Sequence, residues 1–338
     1  MDLLSITALV ISDDIGLLLI FLMAQIIIGV IVPREGLQLP YLWRFVEDRT
    51  IKLESRLNRS KRTQKARFIR GIVLLVFMLI CAILIGEFIS FAIVNFRFGW
   101  GLVLLFIYMT MSAVFPLKIL IQGYKFLKKG EVKKLCDLLQ PLTKLDLSSQ
   151  DEHGQIRELI SLSSWGLNRM AIGPIFWFFL LGPVGLSIYV TVSAMDKVIG
   201  HDTKRYHFFG GATAILDDAL NFLPARLTGI IISFSSLFAP ATQPFQSFQV
   251  LFKQANTIGS MNTGWPLSAM AGGIGISLAG PMKTLSGQLI KRPWLGLKGS
   301  TAQVTTFHVQ KALILCVVST VMLGVLCVMT ISFKIFIS

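Results

Sequence analysis

Charged side chains are scarce in this sequence: only 15% of its 338 residues are Asp, Glu, Lys or Arg. Soluble domains carry about 25%, so the composition argues against a water-soluble globule. Acidic residues are the scarcer kind, since 18 Asp and Glu stand against 32 Lys and Arg. The basic excess lies between apolar runs, where positive charge sets the orientation of a membrane protein. It therefore does not indicate a nucleic-acid partner.

Cysteine and the common catalytic motifs are also scarce. The four cysteines include no C-x-x-C pair, which argues against a zinc site or a redox dithiol and favours buried thiols. The four histidines show no metal-ligand spacing, and the sequence has neither a phosphate-binding loop nor a nucleophile elbow. The amino terminus lacks the basic residues and the cleavage site of a signal peptide, so we expect the first apolar run to be retained as an anchor.

Long apolar runs, by contrast, are abundant. A helix needs about 20 apolar residues to cross a hydrocarbon core about 30 Å thick. Five runs meet this length: Ile15 to Val32, Gly71 to Asn95, Phe98 to Leu117, Met170 to Met195 and Ala312 to Phe333. Two further runs, Leu227 to Phe252 and Gly264 to Met282, are interrupted by Pro or rich in Gly, and either spans or is re-entrant.

The apolar pattern predicts an all-α fold, because no segment shows the sustained alternation of a membrane barrel. We expect a polytopic α-helical integral membrane protein with about five spanning helices plus re-entrant or interfacial helices. The whole chain, residues 1–338, would form a single membrane domain. We expect it to be a multi-pass protein of the cell (inner) membrane.

Two basic connections separate the apolar runs. Residues 34–70 mix many cations with a few apolar side chains, which resembles an interfacial segment on anionic lipid but is more often a solvated face that only fixes orientation. Residues 118–169 form the second connection, which we expect in the cytoplasm because positive charge resists translocation. Residues 196–226 and 253–311 are polar segments of mixed character and are the candidates for forming a site.

The first candidate segment carries adjacent carboxylates. Asp217, Asp218 and Asn221 follow one another at i, i+1 and i+4, so Asn221 shares a helical face with both acids. Mg²⁺ binds through one or two carboxylates and retains several waters, so this face is typical of a metal–phosphate site. The alternative is a structural ion pair with Arg226. Arg226 itself is either a phosphate ligand or a cation at the membrane edge.

The second candidate segment contains the sequence Asn262-Thr263-Gly264-Trp265-Pro266, which predicts a turn. Small residues recur at four-residue intervals after it, as at Ala269, Gly273 and Ser277. Small side chains permit a close approach of the backbone, either by another helix or by a ligand.

These two segments carry a resemblance to a known family. The stretches LDDALNFLPARLTG, at Leu216 to Gly229, and NTGWPLSAMAGGIG, at Asn262 to Gly275, resemble the adenosylcobinamide-phosphate synthase (CobD/CbiB) family of cobalamin biosynthesis. The resemblance implies ATP-dependent amide ligation of aminopropanol, or its phosphate, to adenosylcobyric acid. It also implies ATP and Mg²⁺ as cofactors. The partners it implies are corrinoid and aminopropanol-type small molecules and membrane lipids. Protein partners are also possible, either a second copy of the chain in a homo-oligomer or other membrane enzymes of the corrinoid pathway.

The resemblance also implies roles for individual residues. The residues expected to take part in catalysis are Asp196, Asp217 and Asp218, of which Asp217 and Asp218 would also bind the metal. The residues expected to bind substrate are Asn221, Lys204, Arg205, Arg226, Asn262, Thr263 and Trp265.

Other positions depart from the family pattern. The family has an acidic stretch where this chain has Trp165 to Met170, and it has a His-Pro pair where this chain has Leu39-Pro40. Trp165 and Arg169 instead resemble the related AmpE family, membrane proteins linked to β-lactamase regulation. A non-catalytic membrane regulator or scaffold on the same fold is therefore the alternative function.

The basic connections also limit the topology. If residues 34–70, 118–169 and the acid-free stretch 283–311 are all cytoplasmic, the apolar runs between the last two cross an even number of times. In one arrangement only Gly264 to Met282 is re-entrant, and the two polar segments lie on opposite sides. In the other the chain also reverses at Gly182-Pro183 and at Pro240, and both segments face the cytoplasm. We favour the second, because a shared site requires it.

Overall fold

The computed structural model describes residues 39–59, 62–96, 99–201, 203, 205–285 and 287–337. The predicted span Ile15 to Val32 and the candidate residue Lys204 lie outside these ranges. The described chain is almost entirely helical. Its helices are α1 Tyr41–Leu57, α2 Gln64–Asn95, α3 Gly99–Thr110, α4 Phe115–Lys128, α5 Val132–Leu139, α6 Glu152–Gly166, α7 Gly173–Ile199, α8 Gly211–Ser235, α9 Pro244–Gln254, α10 Gly264–Ile274 and α11 Thr306–Ile337.

Short elements complete the architecture. Two 3₁₀ turns, Gln140–Leu142 and Leu147–Ser149, precede α6, and a π-helical turn, Leu167–Ile172, joins α6 to α7. Four two-residue strands lie between α10 and α11: β1 Leu278–Ala279, β2 Met282–Lys283, β3 Leu289–Ile290 and β4 Trp294–Leu295. They form two antiparallel pairs, β1 with β4 and β2 with β3.

Three helical stretches of the described chain are long and apolar enough to cross a membrane. They are α2, the stretch Glu152–Ile199, which contains a break at Gly182, and Thr306–Met329 within α11. The run predicted from Phe98 to Leu117 is divided between α3 and α4, which meet at an angle of 47° and would add a fourth crossing if the bent pair is one span. The predicted all-α, polytopic membrane fold is confirmed.

The predicted span Met170 to Met195 is a helical hairpin rather than one crossing. Helix α7 breaks at Gly182, whose φ of 60° and ψ of −148° are not helical and whose successor is Pro183. Beyond this break the chain returns, so that Arg169 Nη1 lies 3.3 Å from Ser193 Oγ. A straight helix rises about 1.5 Å per residue, which would put these residues tens of ångströms apart.

The chain reverses a second time between α8 and α9, in the segment that contains Pro240. Ser233 of α8 and Ser247 of α9 share a hydrogen bond of 2.9 Å between their hydroxyls. Phe234 and Phe248 meet edge to face with ring centroids 5.1 Å apart. Leu227 to Phe252 is therefore also a hairpin, as in the second topological arrangement.

Helix α10 lies against both arms of the second hairpin. Its eleven residues rise about 16 Å, too little to cross the hydrocarbon core. Close packing depends on its glycines, since Gly272 lies against the backbone of Gln246 and Ser247. The two hairpins and α10 thus bring the loops before α8 and α10 to the same end of the bundle.

Helix α1 packs on α7 instead of standing free. The face of α1 that carries Trp43, Val46, Thr50 and Glu54 is buried. Glu47 also forms an ion pair of 2.8 Å with Lys197 of α7. One face of the predicted interfacial segment is therefore a protein contact. The opposite face keeps most of its cations exposed, and its predicted lipid contact stays a prediction.

The first reversal provides a test of the hairpin. The backbone angles of Gly182 lie in a region that essentially only glycine adopts, at a cost of about 1–3 kcal/mol for other residues. We expect Gly182→Ala to lower the midpoint of thermal unfolding in detergent. The matched control is Gly101→Ala in α3, where no atom lies within 4 Å of an added Cβ and alanine favours the helix. An unchanged midpoint for Gly182→Ala, with its fold retained, would contradict the hairpin.

Candidate functional site

A buried ion pair joins the two hairpins. Arg169, in the π-helical turn, donates to both carboxylate oxygens of Asp217 in α8, at 2.7 Å to Oδ1 and 2.6 Å to Oδ2. Only 2% of the Asp217 side chain is exposed. Oδ1 also accepts hydrogen bonds from Ser193 and Asn221. Both carboxylate oxygens of Asp217 therefore already have strong partners.

Asn221 continues this network into the core. Its carboxamide nitrogen donates to Asp217, and its oxygen accepts a 2.8 Å hydrogen bond from the hydroxyl of Tyr189. Asn168 donates a longer bond to the same oxygen and accepts one from Thr228. Because Asn221 is fully buried and its donors and acceptor are used internally, it orients α8 against the first hairpin.

The two candidate segments meet at Asp218. The carboxamide nitrogen of Asn262 donates to the main-chain oxygen of Asp218 at 2.9 Å and to its carboxylate at 3.1 Å. Asp218 is exposed on the other side of this contact, while Asn262 is buried. The structure thus brings together residues that are 44 positions apart in the sequence.

Arg226 and Trp265 form a second contact between the same segments. The Arg226 guanidinium lies 4.7 Å from the Trp265 ring centroid and 3.4 Å from that of Phe222. It donates to the main-chain oxygen of Phe222. The alternative interpretation of the acidic face, a structural ion pair with Arg226, is wrong for the described residues, because Asp217 pairs with Arg169 instead. The buried Nε1 of Trp265 has no hydrogen-bond partner among the described residues.

A cavity of about 110 Å³ lies beside these contacts. It is bounded by α6, the π-helical turn, the start of α10 and the strands β1 and β2. Its polar lining comprises Arg157, Glu158, Ser161, Ser164, Asn168, Arg169, Asn262, Thr263 and Arg292. Within the described ranges, two buried polar atoms of this lining have no partner: Arg157 Nε and Asn262 Oδ1. One is a donor and the other an acceptor.

The charges of the lining are of both signs. Arg157 donates to the main-chain oxygen of Ala302 at 2.6 Å and lies over the ring of Trp294. Glu158 is buried, accepts a hydrogen bond from Thr143 and interacts electrostatically with Arg292. Arg157 and Arg292 therefore offer cationic donors and Glu158 an anionic acceptor around one small space.

Lys144 and Asp218 are among the ionisable groups outside the spanning helices whose pKa values are shifted. Burial lowers the pKa of Lys144 to about 8, although Asp196 and Glu47 oppose the shift. Its ammonium donates to the main-chain oxygen of Lys197 at 3.1 Å. Partial desolvation where its carboxyl meets Asn262, together with the neighbouring charge of Asp217, raises the pKa of Asp218. Both groups therefore gain and lose protons closer to neutral pH than they would in water.

The remaining predicted site residues lie in different surroundings. Asp196 is 3.9 Å from Arg169, so it joins the same charge cluster as Asp217. Thr263 lines the cavity. Arg205, predicted to bind phosphate, instead pairs with Glu54 of α1 at 2.9 and 2.8 Å, and it is not among the described residues that line the cavity. Among the described residues no group of three or more His, Cys, Asp or Glu forms a metal site.

Sequence reasoning overlooked the residues on α6. Arg157, Ser161, Ser164 and Asn168 follow at spacings of four, three and four, so they form one polar stripe that continues into the π-helical turn. This periodicity was the available signal, but the residues belong to the predicted cytoplasmic connection. Arg292 lies between two strands that are too short to leave a pattern.

The ion pair provides a test of the site's framework. Asp217→Asn would leave the guanidinium of Arg169 buried without its counter-charge, and such losses cost about 3–5 kcal/mol. We expect a large drop in the thermal unfolding midpoint in detergent. Replacing both partners, as in R169M/D217L, should restore much of the stability because apolar substitutes of similar size are often neutral. Equal midpoints for D217N and the unaltered protein would contradict the pairing.

Comparison with known proteins identifies a family for most of the chain. The CobD/Cbib protein family matches residues 42–316. A protein of Brucella anthropi named Cobalamin biosynthesis protein CobD is 36% identical over 150 residues, which are 44% of this chain and 46% of the relative. A protein of the same name from Sinorhizobium sp. is 27% identical over 250 residues, 73% of this chain and 76% of the relative.

A Rhodobacter capsulatus protein, also named Cobalamin biosynthesis protein CobD, is 34% identical over 150 residues, again 46% of its length. The chain thus spans about half the length of these first relatives. No solved structure matches it. Because the family match covers residues 42–316, most of the chain, the protein belongs to the CobD/Cbib family.

Proposed function

We propose that this protein acts in cobalamin biosynthesis and joins aminopropanol phosphate to adenosylcobyric acid through an amide, at the expense of ATP. Membership of the CobD/Cbib family and the names of the relatives support the pathway. The observation that carries the reaction is the small cavity with an unpartnered donor, Arg157 Nε, and an unpartnered acceptor, Asn262 Oδ1, among the described residues.

The cavity suits a small zwitterion. An amino-alcohol phosphate has an anionic end, which Arg157 and Arg292 would hold, and a cationic end, which Glu158 and Asn262 Oδ1 would accept. The volume of about 110 Å³ is well below the roughly 300–1,000 Å³ of pockets for drug-sized ligands. The nucleotide and the corrinoid would therefore approach from outside. The two arginines favour the phosphorylated amine over free aminopropanol.

The corrinoid would lie on the outer side of the Asp218–Asn262 contact. An open groove of about 570 Å³ lies there, lined by Trp177, Ile215, Asp218, Ala219, Leu220, Phe222, Leu223 and Met261. The lining is mostly apolar, with Asp218 as its carboxylate. A macrocycle with polar side chains around an apolar face matches such a surface. Asn262, which lines the cavity, and Asp218, which lines the groove, then mark the boundary at which the amine would meet the propionate of the corrinoid.

Amide formation requires an activated carboxylate. In the proposed reaction ATP phosphorylates a propionate of the corrinoid, and the amine nitrogen attacks the carbonyl carbon of this acyl phosphate. The bond from carbon to the phosphate oxygen breaks, inorganic phosphate leaves, and the amine gives up a proton. Glu158, beside the amine, would take that proton, while Arg157 and Arg292 hold the substrate's phosphate in place.

One observation favours the alternative, a non-catalytic AmpE-like regulator or scaffold. Asp217, the most deeply buried carboxylate of the site, is used by Arg169, Ser193 and Asn221. A side chain so occupied is typical of a structural role. The proposed lipid contacts, homo-oligomer and location in the inner membrane fit either function, and the activity assay separates the two.

The first test of function is direct. Purified protein in detergent, given adenosylcobyric acid, aminopropanol phosphate and ATP, should form adenosylcobinamide phosphate and ADP, as followed by mass spectrometry. Arg292→Gln should raise KM for the phosphorylated amine about 10- to 100-fold, because a hydrogen bond to a charged group contributes about 1.5–3 kcal/mol. The exposed cation Arg44 provides the control, R44Q, which should leave KM unchanged. Absence of product would leave the regulator as the function.

The second test concerns the proton acceptor. Glu158→Gln should lower kcat by about 10²–10⁴-fold at neutral pH, the usual contribution of a general base. The loss should shrink as the pH rises, because more of the amine is then already unprotonated in solution. A loss of the same size at every pH would mean that Glu158 only shapes the cavity. Thr143→Val, which removes the hydrogen bond to Glu158 but keeps its carboxylate, is the control and should retain most of kcat.

A further inference from the structure

The guanidinium of Arg169 occupies the centre of a carboxylate cluster. It pairs with both oxygens of Asp217 and lies 3.9 Å from Asp196. Asp218 interacts electrostatically with the same group. Only 14% of the Arg169 side chain is exposed, so water screens this charge little.

Oxygen-rich clusters of this kind ordinarily attract a divalent cation, but the residues present do not fit one. Mg²⁺ requires near-ideal octahedral geometry at about 2.0–2.1 Å from oxygen ligands. Here one oxygen of Asp217 receives three hydrogen bonds and the other receives the second arm of Arg169. A cation bound to either oxygen would also lie against the guanidinium and be repelled by it.

The charge balance leads to the same conclusion. Arg169 supplies a permanent positive charge that neither dissociates nor depends on the supply of a metal. Its planar fork matches a carboxylate at two points, so it fixes Asp217 in orientation as well as in charge. Ser193 and Asn221 add donors to the same carboxylate, as an enclosed anion needs.

We propose that Arg169 is a built-in cation that replaces a divalent metal between Asp217 and Asp196, so that the carboxylate cluster of this protein functions without bound metal. The inference refines the proposed function, on which its catalytic meaning rests. It assigns no metal to Asp217 or Asp218 and leaves the phosphates of the nucleotide as the place for any Mg²⁺. It also identifies Arg169 as a positioning residue for these carboxylates, because it holds Asp217 through two hydrogen bonds.

Metal binding without substrates tests this proposal. Mn²⁺ serves as the probe, because its paramagnetic resonance signal separates bound from free ion, and the protein is the full chain in detergent. Removing the guanidinium with R169M should create one Mn²⁺ site at least tenfold tighter than any in the unaltered protein. R169K keeps the positive charge and should not create the site. R169M/D217N, which removes the main carboxylate as well, should also lack it.

The unaltered protein provides a second comparison, which does not depend on the folding of R169M. Asp196→Asn removes a half-buried carboxylate but leaves the Arg169–Asp217 pair intact. If the cluster is metal-free, Mn²⁺ binding should be the same with and without this substitution. The proposal is overturned if the unaltered protein binds one Mn²⁺ that D196N loses, or if a folded R169M binds Mn²⁺ no more tightly.

These outcomes are independent of the enzyme assay. If the protein forms no amide but shows the expected Mn²⁺ binding, the proposed function is contradicted and the built-in cation is supported. If the protein forms the amide but binds Mn²⁺ at Asp196, the proposed function is supported and the metal-free cluster is contradicted.

Discussion

The ion pair between Arg169 and Asp217 is the interaction on which the rest of the site depends. It connects the π-helical turn before the first hairpin to α8, the first arm of the second. Inside a low-dielectric bundle, two opposite charges separate only at a large cost, so the pair fixes the rotation of α8 about its axis. Successive residues of a helix lie about 100° apart. With Asp217 held inward, Asp218 is turned toward Asn262 and the surface.

The two hairpins explain how such polar chemistry exists in an apolar bundle. Irregular backbone at membrane depth is tolerated where protein or a cavity surrounds it. The first reversal is made by Gly182 and Pro183, and the arm before it is tied to α8 by a 3.0 Å hydrogen bond from Trp177 to the main-chain oxygen of Leu220. Glycine also allows α2 to close over this hairpin, since Gly86 lies against the backbone of Val184. Each reversal returns the chain to the end from which it came, and the candidate segments therefore meet.

The parts of this fold that could be predicted are those that depend on nearest neighbours along the chain. The length and apolarity of α2 and α11 identify them from sequence, and Gly182-Pro183 marks the first reversal. A topology with both hairpins places the two polar segments at the same end of the bundle, so their proximity could also be predicted. The pairing of Arg169 with Asp217 could not, because 48 residues separate them and α8 also offered Arg226, whose guanidinium instead stacks on Phe222 and Trp265. The cavity was missed for a related reason: its walls come from α6, the start of α10 and short strands, and no local pattern joins them.

The unpartnered polar atoms around the cavity give a physical reason for it to bind a ligand. A buried polar atom without a hydrogen bond costs about 1–3 kcal/mol, and folded proteins tolerate few of them. Arg157 Nε, Asn262 Oδ1 and Trp265 Nε1, all in or next to one small space, are without partners among the described residues. Neighbouring atoms of the same side chains are already bonded: the amide nitrogen of Asn262 to Asp218, and one terminal nitrogen of Arg157 to the main-chain oxygen of Ala302. Rotating either side chain to reach another partner would break these bonds. A ligand that supplies an acceptor to Arg157 and a donor to Asn262 relieves a cost already incurred in folding, and since the groups are prepositioned, little further ordering is needed on binding.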